Sequence, residues 1–189
     1  MSGPDAAFRE AFARGENQLL TRERVADLET PVGAFLKLAE GRPHAFLLES
    51  VEGGAARGRF SAIGFAPDLV WRCRAGVAEC NTQFLAAPHA FEPEEGPPLE
   101  ALARRIAAIR MRLPPGVPPI AAGLFGYLGY DMVRQMERLP SLKPDVLGIP
   151  EAVLVRPTLI AVFDHVRDAL TLATPVWAEP GGDAEAAWA

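Results

Sequence analysis

The stretch HAFLLES (His44–Ser50), followed by GRFSAIG (Gly58–Gly64), DLVWRCR (Asp68–Arg74) and VAECN (Val77–Asn81), decides the fold. Its segments are separated by Gly53-Gly54, Pro67 and Ala75-Gly76, the residue types that supply positive φ or withhold a backbone donor in turns. Leu69, Trp71 and Cys73 alternate with Val70, Arg72 and Arg74, the period-two pattern of a strand with one buried face. Phe46, Leu47 and Leu48 run on without alternation and suit a strand buried on both faces. The reading is a meander of antiparallel strands, with a turn at Pro67 dividing Arg59–Gly64 from Asp68–Arg74.

Working outward, Ala6–Gly15 has helical composition with Phe8 and Phe12 four residues apart on one face. Leu19–Leu28 mixes polar and apolar residues and declares no element. Thr30-Pro31 is a cap followed by a first-turn proline, and the helix it opens runs to about Glu40, before Gly41. Prolines, glycine and the acids Glu92, Glu94 and Glu95 mark Ala87–Pro98 as a solvated loop. Leu99, Leu102, Ile106, Ile109 and Leu113 recur at helical spacing through Leu99–Arg112. A short helix is expected over Asp131–Arg138 with Asp131 as its cap, then a strand Ala152–Phe163 interrupted at Pro157. Leu159–Phe163 and Leu170–Thr174 form a hairpin about the turn His165–Asp168. Beyond Pro175 no core pattern is visible.

The fold class is therefore α+β, mainly antiparallel β-sheets flanked by helices. Residues 1–29 form an N-terminal arm with a short helix, 30–174 a domain, and 175–189 a tail.

A length of 189 residues with 49% hydrophobic and 23% charged residues is enough to build a core, so disorder is excluded. The net charge of −5 and scattered basic residues exclude nucleic-acid binding, which needs clustered Lys and Arg. Cys73 and Cys80 match neither a metal knuckle nor a CxxC pair and are read as reduced packing residues. Without an apolar signal segment or a run of about 20 apolar residues, a cytoplasmic protein with no membrane role is expected.

The strand ending in Glu49-Ser50 offers a carboxylate and a hydroxyl beside free backbone groups, a receptor for the ammonium of an amino acid with apolar neighbours for its side chain. Termination of a strand and capping of its loop would use the same two residues, and their types alone leave both readings open. The block Gly123–Asp131 lacks the Gly-Lys-Ser/Thr ending of a phosphate loop; its glycines at three-residue spacing suit close backbone packing. His44, His89 and His165 show no ligand spacing, so no metal site is expected. No catalytic constellation is present.

Leu47-Leu48-Glu49-Ser50, Gly58-Arg59-Phe60-Ser61 and Gly123-Leu124-Phe125-Gly126-Tyr127-Leu128-Gly129-Tyr130-Asp131, in that order, resemble the N-terminal region of anthranilate synthase component I, of the alphaproteobacterial type. The resemblance implies a regulatory and structural region in which Leu48, Glu49, Ser50 and Arg59 contact L-tryptophan as allosteric feedback inhibitor. It further implies a parent lyase of tryptophan biosynthesis converting chorismate and ammonia to anthranilate and pyruvate. The parent's chorismate and Mg²⁺ sites, and its catalytic residues, fall in a C-terminal domain whose motifs are not in this sequence, so the chain alone is expected to be inactive. A glutamine amidotransferase subunit is the implied partner. The large subunit of aminodeoxychorismate synthase and a stand-alone amino-acid-binding module are the alternatives.

Overall fold

The computed structural model of the chain describes residues 5–52, 56–140, 145–178 and 181–188. The Gly53-Gly54 break lies outside them. As the patterning predicts, the architecture is α+β, a mostly antiparallel β-sheet with several helices. Two compact units divide the chain: 1–66 with 109–123 and 158–189, and 67–108 with 124–157.

The first unit begins with α1 (Ala6–Ala13), whose N-cap Asp5 accepts from the Phe8 amide at 2.8 Å. Strand β1 (Gln18–Val25) follows, in the stretch that declared no element. It pairs along its whole length with β8 (Ala169–Val176), from Gln18 opposite Val176 to Val25 opposite Ala169. Arg22, Glu23 and Arg24 leave it no apolar alternation, because Thr21–Val25 is exposed at the edge of the sheet. Helix α2 (Pro31–Leu38) is capped as expected, Thr30 Oγ1 accepting from the Gly33 amide at 3.1 Å.

Strand β2 (Phe46–Glu52) lies against the first part of β3 (Ala56–Arg74), and the C-terminal part of β7 (Ala152–Asp164) makes the hairpin with β8. Ile63, Phe65, Ala161 and Phe163 form a core with Ala34 and Ala39, and Leu47 packs against it. Leu48, by contrast, is 46% exposed, so β2 is not buried on both faces. The tail also departs from expectation. Val176 is buried with Phe8 and Phe12, and helix α4 (Ala184–Trp188) returns to set Trp188 edge-on against Phe8, 4.9 Å between ring centres. No periodicity announces this, since three aromatic rings from both ends of the sequence build it.

In the second unit the remainder of β3 pairs with β4 (Val77–Asn81), which carries the short β5 (Glu92–Pro93), while β6 (Phe125–Leu128) pairs with the start of β7. Helix α3 (Pro98–Ala108) sends Ala101 and Leu102 into a core with Leu69, Trp71, Cys73, Ala78, Cys80 and Met132. The two cysteines are free and buried as expected, and desolvation lifts both thiols to about 11, so neither is a nucleophile at neutral pH. Gly126 and Gly129 serve close packing: a Cβ would stand 1.9 Å from the Val153 carbonyl oxygen at Gly126 and 2.8 Å from that of Glu151 at Gly129. Asp131 is not a helix cap. The element there is a 3-10 turn, Tyr130–Gln135, and Asp131 pairs with Arg134 at 2.8 Å.

Neither proline breaks its strand. Pro67 lies within the 19-residue β3 and Pro157 within the 13-residue β7, both fully buried, where a turn and an interruption were expected. The two units change over at these positions, between Ala66 and Pro67 and between Pro157 and Thr158. A proline can stay inside a strand where the ladder does not require its missing amide. Next to Pro67, Ala66 takes φ 51, and its carbonyl accepts from Thr158 Oγ1 at 2.8 Å. A side-chain donor thus serves the backbone acceptor beside the irregularity.

Candidate functional site

The predicted ligand residues fall in the same part of the β2–β3 ladder, around a shift in its register. Leu48 stands opposite Ala62 and Glu49 opposite Ser61, and the register then shifts, resuming at Val51 opposite Arg57. One residue of β2, Ser50, therefore faces the three residues Gly58, Arg59 and Phe60 of β3. Such a bulge redirects side chains at the end of a ladder. Leu48, Glu49 and Ser50 are all exposed, but they do not end the strand as expected: pairing resumes past the bulge and β2 continues to Glu52.

Arg59 leaves the same bulge. Its Nε donates to both carboxylate oxygens of Asp164 at 3.2 Å and its Nη2 donates to Oδ2 at 2.8 Å, with the guanidinium 4.8 Å from the Phe60 ring centre. Asp164 also accepts from the amides of Val166 and Arg167. The Arg59 contact, opposed by some desolvation and aided by those amides, holds the Asp164 carboxyl below its usual range. Directly beside it, Ser61 Oγ and His165 Nε2 share a hydrogen bond of 2.8 Å, and the His165 amide donates to the Arg59 carbonyl at 2.9 Å. The turn after β7 thus braces the β3 side of the bulge with two side-chain pairs and a backbone bond.

Asp164 and His165 were not singled out from the sequence as site residues. They lie 105 and 104 residues from Arg59 and Ser61, and nothing in either segment's pattern signals the pairing. Glu49 and Ser61 are brought opposite one another by register alone.

The second unit has a cleft of about 950 Å³ whose lining includes Asn81, Glu92, Glu94, Arg104 and Arg105. The charges of Glu94, Arg104 and Arg105 are engaged within the protein. Glu94 pairs with Arg105 and accepts from the indole Nε1 of buried Trp71 at 2.9 Å, while Arg104 donates to the Glu95 carbonyl. Glu94, its side chain only 11% exposed, is therefore not the solvated loop acid that its neighbours suggested. Among the described residues no group of three or more His, Cys, Asp or Glu could hold a metal ion, so the Mg²⁺ implied by the resemblance has no donor set there. No described helix is long and apolar enough to cross a membrane.

The chain is similar to part of much longer synthase components, spanning about a third of the length of the curated relatives it matches. It is 48% identical over 183 residues to anthranilate synthase component 1 of Cereibacter sphaeroides, covering 97% of this chain and 37% of that protein. With the Thermus thermophilus component 1 the identity is 44% over 165 residues, 87% of this chain and 34% of the relative. The chain is homologous to the N-terminal third of anthranilate synthase component 1. A crystal structure of that component from Streptococcus pneumoniae aligns over 77% of this chain and 29% of its own, at 23% identity and a TM-score of 0.49. No family model matches the chain.

Proposed function

We propose that this chain is the tryptophan-sensing N-terminal region of an anthranilate synthase large subunit, and that Leu48, Glu49, Ser50 and Arg59 hold the inhibitor. The observation that carries the reading is the exposed stretch of β2 where an apolar side chain, a carboxylate and a hydroxyl follow one another up to a bulge, in a chain homologous to that component. Glu49 suits the ligand ammonium, Ser50 adds a hydroxyl, and Leu48 offers apolar surface to an indole. Asp164 occupies the Nε and Nη2 side of Arg59, so a ligand carboxylate would be met by Nη1.

Leu48 is open on the chain's own surface, so the indole would be covered by the remaining two thirds of the subunit. Tryptophan would then favour one arrangement of the two parts over another, a population shift with a coupling of about 1–3 kcal/mol. Chorismate and Mg²⁺ would be engaged by that remainder, which would carry the lyase chemistry, and a glutamine amidotransferase partner would supply ammonia. This chain alone would have no activity.

The test is feedback inhibition of the full-length subunit that carries this chain. In Ser50→Phe and in Glu49→Ala, the tryptophan concentration for half-inhibition, taken relative to each variant's own uninhibited rate, should rise about tenfold or more. Sensitivity equal to the parent's in both variants overturns the assignment.

A further inference from the structure

We infer that Gly58 is a positioning residue for the tryptophan response: the absence of a side chain there is what seats Ser50. The inference rests on the reading of Ser50 as a ligand contact. A Cβ built on Gly58 would fall 2.2 Å from Ser50 Oγ, 2.4 Å from Ser50 Cβ and 3.0 Å from the Ser50 carbonyl carbon. These approaches are far inside van der Waals contact, and two of the three atoms belong to the side chain whose placement matters. Gly58 is buried although Ser50 is exposed, so the serine lies across the glycine and shields it.

The φ of Gly58 is outside the left-handed region, so alanine is excluded by Ser50 and not by backbone conformation. Nor can the glycine retreat freely. The next residue, Arg59, is tied to Asp164 through its side chain and to the His165 amide through its carbonyl. With β3 braced on that side, a methyl group at position 58 is accommodated by displacing Ser50. The hydroxyl then leaves the position it holds over Gly58.

Gly58→Ala in the full-length subunit should therefore raise the tryptophan concentration for half-inhibition about tenfold, with turnover and the KM for chorismate unmoved. A general loss of structure would move all three. Should Gly58→Ala yield no active subunit, Ser50→Gly/Gly58→Ala removes both overlapping side-chain atoms and should restore activity. Full tryptophan sensitivity in Gly58→Ala, alongside desensitised Ser50→Phe, overturns the positioning role and leaves the tryptophan site standing. Full sensitivity in Ser50→Phe overturns that role together with the reading beneath it. An inactive Gly58→Ala that Ser50→Gly does not rescue also overturns it.

Discussion

Replacing Glu94 by alanine tests how the second unit is held together. Trp71 is fully buried, and its indole N–H, a donor with no alternative role, is satisfied by Glu94 Oε2 at 2.9 Å. Removing the acceptor strands that donor in the core at a cost of about 1–3 kcal/mol. Arg105, 34% exposed, loses its partner at the same time, and a pair open to solvent to that extent adds about 0.5–1 kcal/mol. The sum is about 1.5–4 kcal/mol, a fall of about 3–16 °C in Tm for a chain of this size.

Circular-dichroism melts of Glu94→Ala and Glu94→Gln measure the two contributions. Glutamine keeps an acceptor for the indole and should lose only about 1 kcal/mol. In a Trp71→Phe background, where no indole N–H needs an acceptor, the further cost of Glu94→Ala should drop to that same value. Equal costs of Glu94→Ala in the parent and in Trp71→Phe would refute the reasoning, because the buried donor would then contribute nothing.

Gly126→Ala should destabilise by about 2–3 kcal/mol in urea denaturation, since the new methyl meets the Val153 carbonyl oxygen at 1.9 Å and φ is +154; Gly116→Ala, at φ +82 with open space around it, should cost only about 1 kcal/mol. Similar costs at the two sites would contradict the close-packing role of the glycine-rich block. Asp164 has a folded pKa below its unfolded value of about 3.9, so its stabilisation is complete above that value and is lost as pH falls through the lower, folded one. Urea midpoints should therefore decline more steeply with acid below about pH 4 in the parent than in Asp164→Asn. Parallel declines would remove Asp164 as the cause.

Much of the fold follows from local chemistry. Asp5 and Thr30 cap their helices because each side-chain oxygen reaches an unpaired amide within its own first turn. The alternation from Trp71 to Arg74 is a property of one strand, as is the turn at Ala75-Gly76, where both residues have positive φ, whereas Val70 is buried like Leu69 and Trp71, so β3 there does not have one buried face only. Leu48, Glu49 and Ser50 are adjacent in the chain and were legible together as a candidate site.

Whatever depends on partners distant in the chain was decided only by the tertiary structure. Strand β1 is polar along much of its length and becomes a strand because β8 supplies its ladder. Pro67 and Pro157 read locally as breaks, and only the arrangement of neighbouring strands permits them inside long ones. Glu94 reads as a loop acid until Trp71 and Arg105 are brought to it. At the candidate site the sequence by itself determined which groups follow one another along the strand, a leucine, a carboxylate and a hydroxyl, but not that the strand continues past them to Glu52. Register and the bulge opposite Ser50 are set by how β2 pairs with β3, and the contacts of Arg59 and Ser61 with the turn after β7 join residues about a hundred apart, which no local spacing encodes.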